Sequence, residues 1–103
     1  MAETITVNIP NKHTKLEAKS RIKNGFHTVQ EQIGGKGVAV KQVWAEDRMD
    51  FEAGAMGQSI TGYLVVRDDD IHIEVDLPWF LAKLSGGIKE KLVKGTQGLL
   101  EKK

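Results

Sequence analysis

The chain has 103 residues, 40% of them hydrophobic, no cysteine and a formal net charge of +1. That length suits one domain, and the lack of cysteine excludes disulfides, thiolate catalysis and Cys-based zinc sites. No apolar run reaches the roughly 18 residues that a membrane span needs, and Met1–Thr4 lacks the basic-then-apolar pattern of a signal peptide, so a cytoplasmic setting is expected. The charge is unevenly placed: residues 1–45 carry +4, residues 46–76 carry −7 and residues 77–103 carry +4. This partition reads as two differently solubilised surfaces. No nucleic-acid partner is expected, because such domains carry an overall basic excess.

In chain order, Ile5, Val7 and Ile9 alternate with Thr4, Thr6 and Asn8, which predicts a strand ended by Pro10. Thr14-Lys15-Leu16-Glu17 fits a capping box, worth about 1 kcal/mol. It opens a helix over residues 15–33 with an apolar stripe of Ala18, Ile22, Gly25, Phe26, Val29 and Ile33. Gly34-Gly35 stops it. Four strands follow. Val38–Trp44 has the weakest pattern. Met49, Phe51 and Ala53 alternate with Asp50 and Glu52. Ser59–Val66 turns apolar on both parities, the mark of a central strand. Ile71, Ile73, Val75 and Leu77 alternate with His72, Glu74 and Asp76.

Ala45-Glu46-Asp47, Gly54–Gly57 and Asp68–Asp70 supply the turns of a meander. Pro78 leads into a last helix with a stripe of Leu81, Leu84, Ile88, Leu92, Gly95 and Leu99, and Gly86-Gly87 is a place for a kink. The order β-α-β-β-β-β-α predicts an α+β, two-layer sandwich. An antiparallel five-stranded sheet of order 2-3-4-5-1 carries both helices on one face, in the manner of a helix-grip fold. Placing the first strand beside the fifth covers what would otherwise be a strongly apolar edge.

Few residues announce chemistry. Gly34-Gly35-Lys36-Gly37 lacks the Ser or Thr and the strand-to-helix order of a phosphate loop. His72, Glu74 and Asp76 share one strand face, as metal ligands can, yet a solvated face gives the same pattern. Asp68–Asp70 lacks the spacing of a calcium loop. His13 and His27 read as surface residues. No catalytic residue, metal site or cofactor is expected, and the chain reads as a non-enzyme. Trp79, Phe80 and Lys83 at the start of the last helix stand out as a candidate contact surface, because the stripe through Leu84 and Ile88 can bury only part of so much apolar area.

Several stretches resemble a known family. Trp44 with Asp47 and Phe51, then Gly62–Asp68, then Ile71–Pro78, together with Leu16–Ile22, are similar to the small bacterial family of polyhydroxyalkanoic acid system proteins. The resemblance covers nearly the whole chain. It implies a cytoplasmic protein of the polyhydroxyalkanoate storage system, with the granule surface or granule proteins as partners, and it supplies no catalytic residues. The alternative reading is a helix-grip-type domain holding an apolar or acyl ligand between sheet and last helix, lined by Phe51, Tyr63, Val75, Leu84 and Ile88. The sequence leaves the oligomeric state open.

Overall fold

The computed structural model describes residues 3–34, 40–55 and 58–101, with the side chains of 32–34, 55, 58 and 79–81 left out of the description. The elements are β1 (Glu3–Pro10), α1 (Lys15–Gly34), β2 (Val40–Ala45), β3 (Arg48–Ala55), β4 (Gln58–Val66), β5 (Asp70–Leu77), a 3-10 helix (Trp79–Leu84) and α2 (Ser85–Glu101). All five strands form one antiparallel sheet of order β1-β5-β4-β3-β2. The first strand therefore lies beside the fifth, as the edge argument requires, with Glu3 opposite Leu77 and Pro10 opposite Asp70. Pro10 has no N–H to give, and an edge strand is where a sheet tolerates that. β4, apolar on both parities, is the central strand.

Register aligns the apolar parity of every strand. Val7, Ile73, Leu64, Met49 and Trp44 form one row across the sheet, and Ile5, Val75, Gly62, Phe51 and Gln42 form the next. Ile5, Val7 and Ile9 join Ile71, Ile73, Val75, Leu64 and Met49 in a core that also takes Ala18, Ile22, Phe26 and Val29 from α1 and Ile88, Leu92 and Leu100 from α2. α1 lies against β2, β3 and β4, α2 lies against β1, and the two helices pack on each other.

Two local features make this packing possible. Gly62 sits where any Cβ would collide with the Glu74 carbonyl and come within 2.8 Å of the Phe51 ring. Its bare backbone lets Phe51 lie across β4 and meet Phe26 edge-on at 5.0 Å. Gln30 is fully buried at a stripe position. Its Nε2 donates to the carbonyls of Lys41 (3.1 Å) and Glu52 (3.0 Å), and its Oε1 accepts from Gln42 Nε2 (2.8 Å), so α1 is tied to the β2–β3 hairpin through satisfied polar groups.

Three expectations change. The capping box is half formed: Glu17 N–H donates to Thr14 Oγ1 (3.2 Å), but the Glu17 carboxylate accepts from Arg21 (2.9 Å) instead of reaching back. The last helix is two elements, and Gly86-Gly87 lies in the first turn of α2, not at a mid-helix kink. The tighter 3-10 winding advances each residue by about 120° instead of 100°. Leu84 therefore falls out of phase with the stripe and is 58% exposed, while Ile88, Leu92, Thr96 and Leu100 are the buried α2 positions. His13 is not a free surface residue: it is half-buried, with Nε2 2.5 Å from the Leu100 carbonyl at the end of α2. The Gly34-Gly35-Lys36-Gly37 stop and the Met56-Gly57 turn fall largely outside the described residues.

Candidate functional site

The polar parity of the strands makes the other face of the sheet. Asn8, His72, Val65, Arg48 and Ala45 form one row there, and Thr6, Glu74, Tyr63, Asp50 and Val43 form its neighbour. These side chains satisfy one another. Tyr63 Oη donates to Glu74 Oε2, which also lies 2.9 Å from His72 Nε2. His72 Nδ1 lies 2.7 Å from Asn8 Oδ1, an oxygen that also accepts from Arg67 Nη2 at 3.1 Å. Arg67 grips Asp70 through two bonds of 2.6 and 2.8 Å. The Arg48 guanidinium covers the Tyr63 ring, 4.1 Å from its centre, and donates to Asp50 at 3.0 Å.

The electrostatics follow from these contacts. Hydrogen bonds from His72, and next from Tyr63, hold the Glu74 carboxyl below its ordinary value, and the Glu74 bond pushes the Tyr63 phenol above its own. Both His72 ring nitrogens face oxygens, so neither stands open to a substrate proton. Asp76 accepts from Thr4 Oγ1 at 2.7 Å. His72, Glu74 and Asp76 are thus engaged within the sheet, and among the described residues no group of three or more His, Asp or Glu is placed to hold a metal ion.

The residues expected to line an interior pocket do not converge. Phe51, Val75 and Ile88 are buried in the core. Tyr63 is one residue from Gly62 and therefore points to the opposite face, and Leu84 is exposed. The sequence pattern of β4 could not separate these faces because both parities are apolar. Of the candidate contact surface, Lys83 is exposed on the 3-10 helix, and the Trp79 and Phe80 side chains lie outside the description.

The Trp44, Asp47 and Phe51 signature resolves into a clamp. Phe51 packs under α1 against Phe26, and the Asp47 carboxylate lies 3.4 Å from Lys15 Nζ and 3.5 Å from Lys19 Nζ. Lys19 Nζ also stands 6.0 Å from the Trp44 ring. Beside this clamp an open groove of about 450 Å³ is lined by Leu16, Lys19, Ser20, Lys23, Trp44 and Glu46. Sequence reading did not find it, because its two walls lie about 20 residues apart in the chain.

These features define a small antiparallel α+β protein whose polar sheet face is knitted by its own side chains. The chain belongs to the family described as "Putative polyhydroxyalkanoic acid system protein", whose model matches residues 5–100, from β1 through nearly all of α2. No curated protein is a match. No helix among the described residues is long and apolar enough to cross a membrane.

Proposed function

We propose that this chain is a non-enzymatic component of the polyhydroxyalkanoate storage system that acts at the granule surface or on the proteins there, through the segment joining β5 to α2. The observation that carries this reading is Leu84, a large apolar side chain 58% exposed on the 3-10 helix, next to exposed Lys83. An apolar residue turned outward beside a cation suits a surface that is apolar with anionic groups. Trp79 and Phe80, the other two candidates from the sequence, belong to the same 3-10 helix. Family membership supplies the setting. Co-sedimentation of the full chain with polyhydroxyalkanoate particles tests it. Leu84→Ser and Trp79→Ala should each lower the bound fraction several-fold, and Leu84→Ser should leave the unfolding midpoint unchanged, since Leu84 is outside the core. Undiminished binding by both variants would remove the contact assignment.

A further inference from the structure

We propose that the groove between α1 and the β2–β3 turn binds a single-chain amphipathic monocarboxylate. Its volume of about 450 Å³ is that of a small-molecule site. Leu16, Lys19, Ser20 and Lys23 stand at i, i+3, i+4 and i+7 and so share one helix face, opposite Trp44 and Glu46. That face offers apolar and cationic surface together. Leu16 is 79% exposed, the most exposed large hydrophobic residue described. An alkyl chain laid against Leu16 and the Trp44 ring would cover it.

The charge lining the groove selects the head group. Lys19 shares Asp47 with Lys15, whereas Lys23 has no ion-pair partner among the described residues, and Glu46 supplies the one carboxylate in the lining. Two ammonium groups against one carboxylate leave one positive charge, which matches a monoanion and disfavours a phosphate dianion. The Trp44 indole N–H has no acceptor among the described residues, but it is closed off from solvent and so from the open groove, which is touched by the ring face and not by the donor. The carboxylate pairs instead with the Lys23 ammonium, the lining cation that has no ion pair to give up among the described residues. This site is separate from the 3-10 helix, so it stands or falls independently of the granule contact.

The test is a magnetic-resonance titration of the full chain carrying 15N-labelled tryptophan, with the Trp44 indole signal assigned by its loss in Trp44→Phe. Octanoate should shift that signal saturably, and octanol of equal length should bind at least about tenfold more weakly, the scale of one charge-assisted hydrogen bond. Lys23→Gln and Leu16→Ser, both at exposed positions, should each weaken octanoate several-fold. A shift that does not saturate, equal binding of octanol, or indifference to both variants would overturn the site. Tighter binding of octyl phosphate than of octanoate would overturn the monoanion assignment.

Discussion

Gly62 shows how one missing side chain sets the core. A Cβ there meets the Glu74 carbonyl and the Phe51 ring, and backbone cannot give way as a flexible side chain can. Gly62→Ala should cost about 1–3 kcal/mol or more, read from the urea midpoint, as overpacked cores do. Tyr63, the only tyrosine in the chain, allows its bond to Glu74 to be watched alone. Because the folded-state value is raised above 10.0, that bond contributes its stability in full below about pH 10 and loses it as pH climbs through the folded value. The ultraviolet ionisation of the folded protein should therefore lie above pH 10, and Glu74→Gln should move it back towards 10. Glu74 has the opposite sign: it is held below 4.5, so its contribution is present above that pH and fades as acid protonates it. Tyr63→Phe should flatten the alkaline loss of stability in urea melts. An unchanged alkaline limb would show that the bond carries no linkage.

At the scale of elements, α1 is fixed to the β2–β3 hairpin by Gln30 as well as by apolar contact. Gln30→Leu strands the Lys41 and Glu52 carbonyls and the Gln42 amide. A loss of about 2 kcal/mol or more is expected in denaturant melts, since each buried polar group left unpaired costs on the order of 1–3 kcal/mol. Sequence analysis did not single Gln30 out: a polar residue beside the stripe of Phe26, Val29 and Ile33 reads as solvated, and the strand carbonyls it bonds carry no side-chain signature. The glycines of α2 divide by environment. Gly95 abuts Val29, with a Cβ only 2.8 Å from its methyl group, whereas Gly98 has nothing within 4 Å. Gly98→Ala should raise stability by about 0.5–1 kcal/mol through helix propensity, and Gly95→Ala should not. Sequence reading placed β1, β3 and β5 because alternation is a local, two-residue signal, and β4 by its run of apolar residues on both parities. It read the last helix as one element because 3-10 and α winding use the same residue types.

At the scale of the whole molecule, the open sheet is complete only when the first strand pairs with the fifth. Removing residues 1–11 should leave β5, with Ile71, Ile73, Val75 and Leu77, as an unpaired apolar edge. Light scattering and size exclusion should then show aggregation where the full chain shows none, as exposed edges template pairing. The acidic strands and basic helices become distinct surfaces for the same topological reason: polar strand positions share one face by register, and the lysines lie on helices packed against the sheet.

The sequence by itself determined the strands, both helical regions, the sheet order and the family, because these rest on periodicity, turn residues and edge protection. Only the tertiary structure decided which residues meet. Pairing register brought Asn8 to His72, the parity of β4 sent Tyr63 away from Phe51, and the 3-10 turn moved Leu84 out of the core. The groove between Leu16 and Trp44 likewise exists only once α1 lies on the hairpin. Contacts between residues far apart in the chain are set by the combined geometry of several elements, and no local pattern encodes them.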